Sequence, residues 1–241
     1  MKQSFLIFLL SAMSFTSCTS SQINKALNDI LETGANTPVT EGEMQAGLRE
    51  ALINGITNGA NVVSKTDGYF KNPKIKIPWP QDVQKVQNTL RDIGLGNEVD
   101  KVVLSLNRAA EDAALQAKPI FINAIKQMTF QDALGIIKGN QSAATDYLKR
   151  TTSTQLQQAF SPVIKNSLNK VNATKYWGDI MTQYNKIPLV KPVNTDLTAY
   201  VTDKAIDGLF TMVAQEELKI RKDPLARTTE LLKKVFKLQD N

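Results

Sequence analysis

The sequence predicts an all-α fold: a single multi-helix, bundle-like domain over residues 40–241, behind an N-terminal leader and tether. Three observations predict it. Apolar residues recur at helical spacing through almost the whole of that stretch. Helix-start chemistry appears repeatedly, as in Thr40-Glu-Gly-Glu43 and Thr129-Phe-Gln-Asp132, where hydroxyl and carboxylate satisfy free amides of a first turn. At most one short segment, Lys74-Ile75-Lys76-Ile77, alternates as an edge strand or polyproline-like piece would, and it cannot make a sheet alone.

Residues 1–17 read as a signal peptide. Lys2 supplies the positive start, Phe5 to Leu10 the apolar centre, and small and polar residues follow. The run is too short to cross a membrane, which takes roughly 20 apolar residues, and no later segment approaches that length, so the rest is expected to be soluble. The leader ends in Phe15-Thr16-Ser17-Cys18, and Cys18 is the single cysteine of the chain. Small residues before a cysteine resemble the lipobox of bacterial lipoproteins, with Phe15 where Leu is usual. That resemblance implies a diacylglyceryl group on the Cys18 thiol and a mature chain beginning there. Two or more acyl chains hold a protein to a bilayer essentially permanently. Residues 18–39 then read as a lipid-anchored tether, with a short amphipathic stretch around Ile23, Leu27, Ile30 and Leu31 and a break at Gly34-Ala35-Asn36-Thr37-Pro38.

From Thr40 onward the spacing predicts helices over 40–64, 81–92, 97–117, 119–127, 130–138, 141–149, 152–160, 162–171, 173–185, 195–221 and 224–238. Pro80, Pro162 and Pro224 suit first helical positions, and Gly139-Asn140 stops one helix and opens the next. The first helix carries Gly47, Ala51, Gly55 and Gly59 at four-residue spacing. Glycine inside a helix costs about 1 kcal/mol relative to alanine, so this row is expected to form a shallow groove against which a partner helix packs closely. A ligand lying in that groove is the functional alternative.

Helix 97–117 is apolar on two sides, with Val99, Val102, Val103 and Leu106 on one and Leu104 and Leu115 opposite. Arg108 and Glu111 sit between them at ion-pair spacing, which predicts a buried or half-buried pair. In the last long helix Glu217 projects from the apolar stripe Ile206, Leu209, Phe210, Val213 and Ile220, with Arg221 four residues on. A carboxylate on an apolar face is costly unless paired. Arg108, Glu111, Glu217 and Arg221 are therefore expected to form one interior charge network.

Composition narrows the chemistry. The chain contains no histidine, and acylation of Cys18 leaves no free thiol. The usual zinc, copper and haem sites are then out of reach, as are Ser-His-Asp and Cys-His apparatus and the Glu-x-x-His pattern of carboxylate-bridged di-metal bundles. No cofactor is expected. The mature charge is +5, and residues 118–191 hold ten Lys or Arg against three Asp. Those bases are scattered without interleaved aromatics or arginine clusters, so nucleic-acid binding is not expected.

Several segments carry a resemblance: Gly47-Leu-Arg-Glu-Ala-Leu52, Asp67-Gly-Tyr69, Ile75-Lys-Ile-Pro78, Asn107-Arg-Ala-Ala-Glu111, Pro119-Ile-Phe121, Met128-Thr-Phe-Gln-Asp-Ala133 and Ala143-Ala-Thr145. Further along stand Tyr200-Val201, Asp207-Gly-Leu-Phe210, Glu216-Glu217, Ile220-Arg221 and Arg227-Thr-Thr229. Together, over residues 43 to 236, they resemble the bacterial envelope lipoproteins catalogued as domain of unknown function 4197. That resemblance implies a helical domain with a lipid anchor and supplies no catalytic residues.

The leading expectation is a non-enzymatic envelope lipoprotein that binds a protein partner or an apolar ligand. Phe70, Trp79, Phe121, Phe130, Tyr147, Trp177 and Tyr184 are candidates to line a cavity. The alternative is a carboxylate-dependent hydrolase or transferase in the periplasm using Glu111, Asp132, Asp207 and Glu217. An architectural role at the membrane surface is a third. Residues 19–22 carry no acidic cluster, which favours the periplasm-facing side of the outer membrane.

Overall fold

A computed structural model describes residues 40–186, 188–189, 192, 196–227 and 229–236. The predicted leader, Cys18 and the tether lie outside the described residues, as do the last positions of the helix predicted over 224–238. Among the described residues there is no strand.

The chain folds as α1 (Glu41–Val63), α2 (Gln84–Asp92), α3 (Gly96–Ala114), α4 (Ala117–Lys126), α5 (Phe130–Lys138), α6 (Ala143–Lys170), α7 (Ala173–Tyr184), α8 (Leu197–Lys222) and α9 (Glu230–Phe236). Short 3₁₀ turns at Gln81–Val83 and Pro224–Ala226 precede α2 and α9. Both predicted capping boxes close. Thr40 Oγ1 accepts from Glu43 N at 3.2 Å while Glu43 Oε2 accepts from Thr40 N at 2.9 Å. Thr129 and Asp132 repeat the exchange at 3.1 and 3.0 Å. Such caps contribute about 1 kcal/mol each.

The three helices predicted over 141–149, 152–160 and 162–171 are one helix, α6. Leu148, Thr152, Leu156, Phe160, Ile164 and Leu168 recur every four residues and are all fully buried, so one unbroken stripe crosses both suspected breaks. Thr152 meets its need locally, donating to the Leu148 carbonyl at 2.6 Å. Pro162 therefore stands inside a helix rather than at its start. An interior proline costs about 3 kcal/mol, and the burial of Phe160 and Ile164 on either side offsets it. Pro80 and Pro224 likewise open 3₁₀ turns, not α-helices.

α8 is the central element: α1, α3, α6 and α7 all pack on it. Its Val201, Ala205 and Leu209 are fully buried, and Phe210 meets Phe121 of α4 edge-on at 5.7 Å between centroids. α1 lies across α8, α4, α5 and α9 with the predicted row of small residues inward. A β-carbon at Gly47 would stand 2.8 Å from Val235 of α9, the tightest of the three glycines in the row. At Gly55 it would meet Ile220 at an ordinary 3.5 Å, and at Gly59 the Met212 backbone at 3.9 Å. α2 differs from the rest: its apolar Val86 and Leu90 stay half-exposed, and it packs mainly on α3 and the turn before it.

Candidate functional site

The segment Ile75 to Pro80 is an extended strap across the helices. Asn72 O accepts from Ile75 N and Lys76 N at 3.2 and 2.8 Å and starts the strap. Ile75 and Ile77 turn inward while Lys74 and Lys76 face solvent, as the alternation predicted. Its pairing partner is a side chain, not a strand. Asn107 of α3 is fully buried, accepts from Ile77 N at 2.8 Å and returns a hydrogen bond to Ile77 O at 2.8 Å. The Asn107 amide thus does the work of a neighbouring strand. Tyr200 of α8 holds the next residue, donating to Pro78 O at 3.1 Å; burial pushes its phenol up to about 12.

The strap delivers Trp79 to the interior, 3% exposed, against Trp177 of α7 at 5.4 Å between centroids. These two indoles form one wall of a groove of about 560 Å³ between the strap, α2, α3 and the α6–α7 junction. Val99, Val102 and Leu104 of α3 supply its carbon-rich floor. Of the second apolar side that the sequence shows on α3, Leu104 lines the groove and Leu115 is 61% exposed. Leu95, Val171 and Tyr176 stand exposed at the rim, beside an ion pair of Lys101 with Glu98 at 2.8 Å. Leu95 and Leu90 are set by the turn between α2 and α3. Gly94 adopts φ +86°, and Leu95 N donates to Leu90 O at 2.8 Å, the helix-ending pattern that a left-handed glycine makes possible. The Nε1 atoms of Trp79 and Trp177 are both buried and neither meets an acceptor.

A second cleft, of about 470 Å³, is edged by the same strap and by α8. Lys74, Lys76 and Lys204 stand around it with Asp207.

The sequence places Arg108, Glu111, Glu217 and Arg221 in one network; the structure holds them as two. Glu111, 3% exposed, accepts from the backbone N–H of Tyr69 and Phe70 at 3.0 and 3.2 Å and pairs with Arg108 at 2.6 Å. Arg108 also reaches Asp67 at 2.6 Å. Lys71 and Arg108 hold the Asp67 carboxyl below its usual range, and Asp67 and Glu111 raise the guanidinium. Asp67 itself sits at φ +68°, a left-handed conformation that Asp tolerates better than most residues. Tyr69, two residues on, is fully buried and donates to Ala205 O at 2.6 Å.

Glu217 works at the other cluster. It accepts from Ala144 N at 3.0 Å and from Thr145 N and Oγ1 at 2.9 and 2.7 Å. Arg221 pairs with it at 2.8 Å and donates to Ile136 O at 2.9 Å. One ion pair therefore binds the end of α5 and the start of α6. No hydrogen bond or ion pair among the described residues joins this cluster to that of Glu111, because each carboxylate is saturated by amides of a different loop.

The four candidate carboxylates stand apart. Glu111 and Glu217 are taken up by backbone amides, Asp132 by its cap on Thr129, and Asp207 borders the lysine cleft. Of the candidate cavity aromatics, only Trp79 and Trp177 line the groove. Phe121 belongs to the core, Phe70 lies beneath Lys76 and Arg108, and Tyr147 borders a small polar cleft with Asp132 and Arg150. Sequence reasoning missed Asn107, whose signal is a polar residue on the inward face of α3 beside Leu106. It also missed Arg227, 3% exposed, which closes α8 by donating to Ile220 O and Arg221 O at 3.2 and 3.0 Å.

Over residues 38–237 the chain matches the family described as protein of unknown function (DUF4197). It belongs to that family. No curated protein and no solved structure matches the chain. In this DUF4197 domain the segments that carried the resemblance meet in space: Asp67-Gly-Tyr69 on Glu111, Ile75-Lys-Ile-Pro78 on Asn107, and Ala143-Ala-Thr145 on Glu217. Gly68 fits only as glycine, since a β-carbon there would lie 2.4 Å from Val62 O. Among the described residues no helix is long and apolar enough to cross a membrane.

Proposed function

We propose that this DUF4197 protein is a non-enzymatic lipoprotein of the bacterial envelope, anchored through Cys18 to the periplasm-facing side of the outer membrane, whose helical domain binds an apolar ligand in the groove beside Trp79 and Trp177. One observation carries the ligand reading: a carbon-lined groove of about 560 Å³ bordered by two tryptophans whose buried indole N–H groups have no acceptor. Ligand sites pair an apolar lining with a few convergent polar groups, and an unmet buried donor costs about 1–3 kcal/mol. The exposed Leu95, Val171 and Tyr176 at the mouth add apolar surface that a ligand would cover. Support for the anchor is the sequence alone, through the leader and Cys18.

Both tryptophans of the chain stand on this groove, so their emission reports it without a label. Titration with diphenylhexatriene, an apolar rod, is expected to quench indole emission by energy transfer and to saturate at one equivalent. Linear, unsaturable quenching would exclude the groove as a site. For the anchor, cells fed labelled palmitate should incorporate it into the protein, and Cys18→Ser should abolish incorporation; label retained in Cys18→Ser would disprove it.

A further inference from the structure

We propose, resting on the apolar-ligand reading above, that the groove takes a single acyl chain whose carbonyl or carboxylate oxygen accepts hydrogen bonds from the indole N–H groups of Trp79 and Trp177. Size, shape and chemistry each restrict the occupant. A heavy atom in a liquid takes roughly the ~30 Å³ of one water molecule, so 560 Å³ holds on the order of 18 heavy atoms. That is the size of one fatty acyl chain. The α3 residues along the groove run from Leu95 to Ser105, about 15 Å at 1.5 Å per residue, so the space is elongated. Its floor offers carbon, from Val99, Val102 and Leu104.

The polar chemistry is one-sided. At the rim Lys101 and Glu98 form an exposed ion pair at 2.8 Å. The buried side-chain groups on the groove without a partner are two donors, Trp79 Nε1 and Trp177 Nε1. Indole donates and never accepts, so what completes the site is an acceptor. A carboxylate or ester carbonyl has two lone pairs on one oxygen, and the rings that carry the donors touch at 5.4 Å between centroids. Neither nitrogen is open to solvent, so an oxygen in the groove would reach them only through a small turn of the indoles, which would link binding to their emission.

The test uses the full chain carrying Cys18→Ser, titrated calorimetrically below micelle-forming concentrations with three probes of equal chain length. Dodecanoate and lauroyl lysophosphatidylglycerol carry an acyl carbonyl; dodecyltrimethylammonium carries none. The acyl probes should bind at least tenfold more tightly than the ammonium. Trp79→Phe and Trp177→Phe should each weaken them several-fold and leave the ammonium unchanged. Preference between dodecanoate and the lysolipid tells a free acid from an ester. Equal affinity of all three, or indifference to both Phe variants, would overturn the acceptor role and leave the apolar-ligand reading standing. Binding of diphenylhexatriene with no chain probe would overturn the acyl assignment alone, and binding of no probe at all would overturn both. Should a Phe variant fail to fold, Val102→Trp replaces it; filling the floor from a half-exposed position, it should abolish dodecanoate binding, and undiminished binding would overturn the proposal.

Discussion

Glu217 and Thr145 lie 72 residues apart in sequence and touch: the Glu217 carboxylate accepts from the Thr145 amide at 2.9 Å and its hydroxyl at 2.7 Å. α6, the longest described helix, thereby receives its N-terminal cap from the side chain of another helix. Its own N-cap residue, Ser142, makes no side-chain cap bond. The carboxylate also sits at the positive end of the α6 dipole, where an anion is favoured.

Removing Glu217 should therefore cost more than a surface cap. Glu217→Ala strands a buried guanidinium and two amides at once, and breaking a buried ion pair costs about 3–5 kcal/mol. Urea denaturation should show a loss in that range, while the double variant Glu217→Leu with Arg221→Met should lose less than Glu217→Ala alone. Equal losses would mean that the stranded charge is not the source of the penalty.

Asn107 fixes the strap and, through it, Trp79. Asn107→Leu leaves the amide and carbonyl of Ile77 without partners, about 2–6 kcal/mol at roughly 1–3 kcal/mol per buried group. The strap should loosen before the bundle does. Indole emission shifting to the red at denaturant concentrations where helical circular dichroism is intact would show it; coincident transitions would count against a separable strap.

Gly55 and Gly208 should respond oppositely to alanine. At Gly55 the new β-carbon meets Ile220 and Glu216 at 3.5 and 3.7 Å, ordinary contact distances. Gly55→Ala should then stabilise by about 0.5–1 kcal/mol through helix propensity, whereas Gly55→Leu overpacks against α8. At Gly208 a β-carbon would lie 2.7 Å from Tyr69 Cε1 and 3.2 Å from Ile75 Cβ, and overpacking costs about 1–3 kcal/mol. Thermal melts of the three variants test the ordering.

Acid and alkali should both unfold the domain, with a level region between. Glu43 is lowered from 4.5 to about 2, chiefly by the Thr40 amide, and Asp67 and Asp132 are lowered from 3.8 by Lys71 and by Thr129. Depressed carboxylates stabilise above their ordinary pKa, and the contribution drains away as pH falls through the folded value. Burial raises Tyr69, Tyr147 and Tyr200 above 10, so their contribution is complete below pH 10 and is lost as pH climbs toward the folded values. The chain has no histidine, the side chain whose ordinary pKa lies near neutrality. The melting temperature should hold level between roughly pH 5.5 and 8.5, then fall below about 4 and above about 10. A step near pH 6.5 would contradict this account.

Where a helix is capped by its own residues, the sequence declares it: Thr40 with Glu43 and Thr129 with Asp132 mark α1 and α5 to the residue. Where the cap comes from elsewhere, as at α6, no local signal exists. Pro162 and the Thr151-Thr152 pair imitate breaks, and only the buried stripe from Leu148 to Leu168 shows that packing overrides them. The ion pairs Arg108–Glu111 and Glu217–Arg221 were legible because three- and four-residue spacing fixes them within one helix. Whether the two pairs meet was not legible, since that depends on which loop's amides each carboxylate faces.

The amino-acid sequence alone determined that this protein is helical, contains no histidine, and carries polar residues on faces that must be buried. Those properties follow from periodicity and composition, which act over a few residues. Tertiary structure decided what the buried polar groups do, joining Glu111 to Tyr69, Asn107 to Ile77 and Glu217 to Thr145. It also decided that Trp79 and Trp177 meet beside a groove, because contacts between distant segments arise from packing and leave no periodic trace in the chain.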